Sequence, residues 1–190
     1  LGSGFVFKDD APTGNISANT SVSVTLDETD RATSSTNGVF NSPLVATSAA
    51  SVLNSTLNYG ADGAGTIVYA LAAAAGASGL KTAVGDYAIN LVQTGTDTVS
   101  GTYVDSSGAS KTAFTVVMGT DGKLTVTQYV ALEHNNDGSS AAALDDVLQL
   151  AAGKISVKAT ITDKDGDSLT TSTVDITSQI TFKDDGPTAA

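Results

Sequence analysis

Cysteine and tryptophan are absent from the 190-residue chain, and histidine occurs once. The lack of cysteine excludes disulfides, thiol catalysis and thiolate metal sites. The lack of tryptophan removes the best side chain for stacking on a sugar, and we do not expect a small-molecule ligand. The single histidine, His134, lies in a polar stretch and is expected to be a hydrogen-bonded turn residue. No catalytic set can be assembled around it, so we do not expect an enzyme.

Basic residues are scarce and long apolar runs are missing. Nine Lys and Arg stand against 20 Asp and Glu, which gives a formal net charge of -11. Such a chain would be repelled by phosphate, so neither nucleic acid nor an anionic membrane is an expected partner. No run approaches the roughly 20 apolar residues of a membrane-spanning helix. The charge indicates instead that the chain attracts cations.

Glutamate is nearly absent: the acidic residues are aspartates apart from Glu28 and Glu133. Aspartate favours turns and caps over helix interiors. Ser, Thr, Val and Ile form short runs, and glycine interrupts them about every ten residues, which is typical of an all-β sandwich. We therefore predict an all-β fold, an Ig-like or Greek-key β-sandwich. It is expected to be elongated, with its termini at opposite ends.

Alternation of apolar and polar residues locates the strands. It predicts one strand from Ile16 to Leu26, ending near Asp27, and a polar loop over residues 31–37. Further strands are predicted at 66–72, 86–92, 98–104, 112–118, 123–128, 155–161 and 169–182. The alanine-rich run from Tyr69 favours a strand leading into a loop over a helix, because two glycines interrupt it early. The stretch from Tyr129 is the most favourable place for a helical turn.

The same phrase stands near both ends of the chain. "FKDDAPT" begins at Phe7 and "FKDDGPT" begins at Phe182, so the period is 182 − 7 = 175 residues. Such a period indicates one unit of a tandem array. Residues 1–13 are then the end strand and linker of a preceding repeat, residues 14–182 the module, and residues 183–190 the linker to the next repeat. Neighbouring repeats of the same chain are the expected partners, and the module is expected to be a monomer.

The run "TDKDGDS" places Asp163, Asp165 and Asp167 at alternate positions. In a tight loop, with Gly166 permitting a positive φ, these carboxylates can converge on one Ca²⁺ at about 2.3–2.6 Å. The spacing differs from an EF-hand, whose glycine is the sixth residue and whose twelfth is a glutamate. A solvated aspartate-rich turn without metal is the alternative.

The linker aspartates extend this hypothesis to both ends of the module. If the module is elongated, Asp9 and Asp10 approach the 163–167 loop, and so many carboxylates would repel one another without a cation. By the same reasoning, the first strand carries Asp27 and Glu28 to the far end. We predict a second Ca²⁺ site there, with Asp184 and Asp185 as further ligands. A flexible hinge without metal is the alternative.

Several phrases resemble a known family. "LTVTQYVALEH", "GKISVKATITDKDGDS" and "ITFKDDGPTA" look like the recurrent modules of giant repeats-in-toxin (RTX) adhesins, which are bacterial surface proteins exported by type I secretion. The resemblance is strongest from Leu124 to Thr188. It implies a β-sandwich with calcium in loops and linkers, outside the cell, in a long stalk.

Three functions follow as hypotheses. The first is a structural extender, stiffened by Ca²⁺, that projects a distal ligand-binding region from the cell surface. The second is an adhesin module that itself binds a glycan or peptide. The third, the most distant, is a carbohydrate-active enzyme domain. An extender should respond strongly to calcium and bind no small ligand.

Overall fold

A computed structural model describes residues 10–31, 35–134 and 146–184 of the chain. This part is nearly all β, as the sequence predicts, and its helices are the 3₁₀ turns Glu28–Arg31 and Thr177–Gln179. None of its helices is long and apolar enough to cross a membrane. The strands are β1 (Ile16–Ala18), β2 (Val24–Asp27), β3 (Ser35–Thr36), β4 (Val39–Thr47), β5 (Leu53–Ser55), β6 (Thr66–Ala73), β7 (Gly76–Lys81), β8 (Ala88–Gln93), β9 (Thr98–Val104), β10 (Ser110–Met118), β11 (Leu124–Val130), β12 (Val147–Leu148), β13 (Ile155–Thr162), β14 (Ser168–Thr170), β15 (Val174–Asp175) and β16 (Ile180–Lys183).

The strands form a β-sandwich. The largest sheet has seven strands in the order β3-β4-β11-β10-β9-β8-β7, and β13 is the centre of a second sheet with β14, β15 and β6. The strands β12, β16 and β2 form a smaller sheet. Buried and more exposed positions alternate along β11 and β13, as expected for strands with one face on the core. Phe114 and Phe182 pack together in that core with ring centroids 5.4 Å apart.

The strand pairings show where the two described termini lie along the module. Asp10 contacts Ala61 at the end where β13 leads into the 163–167 loop. From there β1 runs antiparallel to β5 and away from that end, and β2 continues parallel to β16. At the far end the Thr29 hydroxyl donates to the Asp184 carbonyl. The first and last described residues therefore lie at opposite ends of the sandwich.

Two predicted long strands are interrupted. The stretch from Ile16 to Leu26 contains β1 and β2, separated by a turn in which Val22 N donates to Asn19 O. The stretch over 169–182 contains β14, β15 and β16, because the chain leaves the β13 sheet and enters the β16 sheet. Apolar residues stay at even positions across the first break, so the alternation does not reveal it. Across the second break they change from an odd position, Leu169, to even positions from Val174 onward, after the polar run 170–173.

Other differences lie in the polar and alanine-rich segments. The predicted loop over 31–37 contains the short strand β3, and the strand β4, which was not predicted, follows it. Asn37 and Gly38, both at positive φ, form the turn between these two strands. The alanine-rich run forms the end of β6, as predicted, but the strand β7 follows where a loop was expected. Tyr129 belongs to β11 rather than to a helical turn, and residues 135–145 lie outside the described part.

The side chain of Gln179 stabilises the 3₁₀ turn between β15 and β16, where the chain passes from the β13 sheet to the β16 sheet. Its side chain is buried, and its Nε2 donates to the carbonyls of Asn19 at 2.7 Å, Val52 at 2.9 Å and Val22 at 3.0 Å. These carbonyls belong to two segments that are distant from Gln179 in sequence. One amide group thus joins the β1–β2 turn, the start of β5 and the entry to β16.

Candidate metal centre

The loop between β13 and β14 is built around Asp163. Its Oδ1 accepts hydrogen bonds from Asp167 N at 2.8 Å and from Gly166 N at 3.0 Å. Asp163 N also donates to Asp167 O at 3.0 Å, which closes the loop. Gly166 has φ +110°, the positive φ that the sequence analysis expected at this glycine.

The second carboxylate oxygen of Asp163 has no donor. Asp163 is only 4% exposed, and its Oδ2 is a buried atom without a hydrogen-bond partner. A buried acceptor without a partner is costly, and an ionised one more so. A cation bound to Oδ2 would remove this cost.

A second loop brings another carboxylate to the same place. Oxygens of Asp62, Asp163 and Asp165 all lie within 4.8 Å of one another. Two oxygens that each bind one Ca²⁺ at about 2.3–2.6 Å can be at most about 4.6–5.2 Å apart. The observed spacing therefore suits oxygens that share a single calcium ion.

Glycine makes this approach of the two loops possible. A Cβ placed on Gly65 would overlap the carbonyl oxygen of Thr162 and lie 2.5 Å from that of Asp163. The absence of a side chain at residue 65 thus allows its backbone to pack against the end of β13. Asp62 was missed in the sequence analysis; its signal was its position in the glycine-rich run "YGADGAG".

The ionisation of Asp163 and the exposure of its two neighbours also favour a cation. Burial raises the pKa of Asp163, but hydrogen bonds with the side chain of Asp165 and with the backbone of Gly166, Asp167 and Asp165 outweigh burial and leave that pKa below its ordinary value. Asp163 is therefore ionised at neutral pH. The Asp62 and Asp165 side chains are exposed, so a cation can reach the site from solvent.

The remaining residues predicted for this end are placed differently. Asp10 Oδ2 accepts a hydrogen bond from Ala61 N at 2.9 Å, so the linker contacts the residue before Asp62. Asp10 and Asp167 are not among the grouped carboxylates in the described part of the chain. Asp9 lies outside the described residues.

At the far end the predicted residues are adjacent but not grouped. Asp27 Oδ1 accepts from Thr29 N at 3.1 Å, and Asp27 Oδ2 lies 3.9 Å from Lys183 Nζ. Thr29 Oγ1 contacts the carbonyl of Asp184 at 3.4 Å. Asp185 is outside the described residues, and among those described no three acidic groups come together at this end. The second site stays a prediction.

Glu28 points into the protein. It is 4% exposed and accepts hydrogen bonds from Leu132 N at 3.0 Å and from Gln128 Nε2. His134 is also buried, with Nε2 4.0 Å from Glu28 Oε1 and with neither ring nitrogen hydrogen-bonded. The expectation that His134 is a hydrogen-bonded turn residue is therefore wrong. The Glu28 carboxylate accepts the hydrogen bond of a backbone N–H, that of Leu132, just after the end of β11.

Substitution of Gly65 tests how the two loops form the centre. Gly65→Ala should force the loop that carries Asp62 away from Asp163, because both overlapping atoms are backbone carbonyl oxygens. We expect calcium affinity, measured by calorimetry, to fall at least about tenfold. Gly95→Ala is the control, since its φ is not positive and a Cβ there meets nothing closer than 3.3 Å, the end of the Asp97 side chain. Equal calcium affinity of Gly65→Ala and the parent would contradict this geometry.

A protein-family model matches most of the chain. A family described as a domain of unknown function (DUF5801) matches residues 23–177, which include β2 to β15 and the 163–167 loop. Searches of curated proteins and of solved structures found no similar protein.

Proposed function

We propose that this chain, which belongs to the DUF5801 family of domains of unknown function, is a structural extender module. The module would be part of a bacterial cell-surface adhesin and would be stiffened by Ca²⁺. Two observations on Asp163 carry this proposal: its Oδ2 is buried and unpartnered, and its carboxylate groups with those of Asp62 and Asp165. The group lies at the end of the module where the N-terminal linker enters. A cation there would fix the linker end as well as the loops.

The shape of the module and the repeat support this role. The described termini lie at opposite ends, so tandem modules can follow one another in a line. The phrase "FKDDAPT" and its counterpart "FKDDGPT" would recur at each junction, and proline fixes φ there. The resemblance to RTX adhesins agrees with this arrangement. Neighbouring repeats would be the partners, and export by type I secretion would place the stalk outside the cell.

Calcium supply would make the stiffness conditional on export. Extracellular modules bind Ca²⁺ with dissociation constants on the order of 10⁻⁴–10⁻³ M. Sites of that affinity are empty in the cytosol and filled outside the cell. The chain would then be pliable before secretion and rigid after it.

A two-module chain tests the extender role. Two copies joined at the shared heptapeptide should show, by small-angle scattering in millimolar calcium, a maximum dimension close to twice that of one module. After chelation the distance distribution should broaden and shorten, because the carboxylates at the junction then repel one another. The 190-residue chain with and without calcium is the control for changes within one module. Identical distributions with and without calcium would contradict the proposal.

A ligand-binding role is the second candidate, and a cleft favours it. The cleft has a volume of about 570 Å³ and lies between the edge strands β7 and β12. Its lining includes Lys81, Asp86, Glu133 and His134, so a polar ligand would suit it. A hit on a glycan or peptide array that Lys81→Ala abolishes would support this role. An array without hits would favour the extender.

A further inference from the structure

The N-terminal linker reaches the metal centre through a backbone amide. Asp10 Oδ2 accepts from Ala61 N at 2.9 Å, and Ala61 directly precedes Asp62. Among the described residues, the grouped carboxylates are those of Asp62, Asp163 and Asp165, without Asp10. The linker therefore contacts the neighbour of a ligand.

The 58–65 loop is held between the linker and the 163–167 loop. On the linker side, Thr13 and Asn58 exchange two backbone hydrogen bonds of 2.9 and 2.8 Å. Gly60, at φ +81°, packs so closely that a Cβ would lie 2.6 Å from Asp10 O. On the other side, Gly65 packs against the carbonyl of Asp163. A displacement of this loop would affect both contacts.

We propose that Asp10 is a positioning residue, which couples occupancy of the cation site to docking of the linker without ligating the ion. This inference rests on the proposed calcium site. The ion draws Asp62 towards Asp163, and that movement fixes Ala61 N where Asp10 accepts its hydrogen bond. Coupling is reciprocal, so docking of the linker also strengthens ion binding by the same factor.

The test combines calcium calorimetry with amide hydrogen exchange on the 190-residue chain. In the wild type, calcium should slow exchange at Ala61 and at Thr13 at least about tenfold. In Asp10→Ala the slowing should fall below about twofold, and calcium affinity should fall at least about fivefold, because the coupling is reciprocal. Asp62→Asn should lower calcium affinity at least about tenfold.

Asp10→Asn separates positioning from ligation. The asparagine carbonyl can still accept the hydrogen bond from Ala61 N, but it is a weaker calcium ligand than a carboxylate. We expect Asp10→Asn to restore at least half of the calcium-dependent protection, on a logarithmic scale, that Asp10→Ala loses. A merely structural defect at Asp10 would not depend on calcium.

The outcomes distinguish this inference from the proposed function. If Asp10→Ala and Asp10→Asn both lose calcium affinity tenfold, Asp10 is a ligand; the inference is then wrong while the site stands. If Asp10→Ala keeps full calcium-dependent protection, the linker is not coupled and the inference is again wrong. If the wild type binds no calcium, both the inference and the calcium mechanism of the proposed function fail.

Discussion

Replacement of Asp62 by asparagine is expected to remove about half or more of the stabilisation that calcium gives the module. At a calcium concentration of 100 times the dissociation constant, binding stabilises the folded state by about 2.7 kcal/mol. A tenfold loss of affinity reduces this to about 1.4 kcal/mol by the same relation. For a chain of this size, about 1 kcal/mol corresponds to roughly 2–4 °C in melting temperature. The calcium-induced rise should therefore fall from roughly 5–11 °C to roughly 3–6 °C or less.

The sign of the effect reverses when calcium is chelated. Without the ion, Asp62 is only a like charge beside Asp163 and Asp165, so Asp62→Asn should melt at the same temperature as the parent or higher. Asp86→Asn is the matched control, because Asp86 is exposed, belongs to a surface ion pair with Lys81 and has φ 53°, which asparagine tolerates. The control should keep the full calcium response. If calcium raised the melting temperature of Asp62→Asn as much as that of the parent, Asp62 would not be a calcium ligand.

Gln179→Glu hardly changes the volume of the side chain, yet we expect it to lower the stability of the module strongly. Nε2 of the buried Gln179 side chain donates to three backbone carbonyls, and a carboxylate would direct a negatively charged oxygen at the same three groups. A buried charge without a partner costs at least about 3 kcal/mol. We therefore expect a fall in melting temperature of at least roughly 6–12 °C at pH 7 in saturating calcium.

The pH dependence of that variant provides a second check. Burial and the facing carbonyls should raise the pKa of the new carboxyl in the folded state. For an acid with a raised folded pKa, the destabilisation is complete above that folded pKa and disappears below its unfolded value of about 4.3. The difference from the parent should thus shrink as the pH falls from 7 towards 4. Gln149→Glu is the control: Gln149 is exposed, and its amide donates to Ser178 O. Equal melting of the two variants at pH 7 would contradict the role of Gln179.

Local pattern predicted much of this fold. Alternating apolar residues located the central strands β9, β10, β11 and β13, because each buries one face. The same alternation could not show that 16–26 is broken, since its apolar residues stay at even positions through the turn. In 169–182 the polar run 170–173 and the change of phase after Leu169 were the signal of a break. The strand β4 was missed because the segment around it is rich in polar residues.

The site was predictable only where its residues are close in sequence. The pattern "DKDGD" indicated Asp163, Asp165 and the positive φ of Gly166 from local chemistry alone. Asp62 lies about a hundred positions earlier, and only the packing of Gly65 on the end of β13 brings it near. The burial of Glu28 likewise depends on Gln128, a partner from a distant strand. Contacts of this kind leave no periodic signal in a single sequence.

The most direct test of the account is anomalous diffraction from crystals of the chain grown in calcium. A calcium ion should give an anomalous peak about 2.3–2.6 Å from oxygens of Asp62, Asp163 and Asp165, with Asp163 Oδ2 among its ligands. Crystals soaked in chelator should lose the peak and show the loop of Asp62 displaced from Asp163. Crystals in millimolar calcium with no anomalous peak between these three carboxylates would contradict the central claim that a calcium ion joins the two loops.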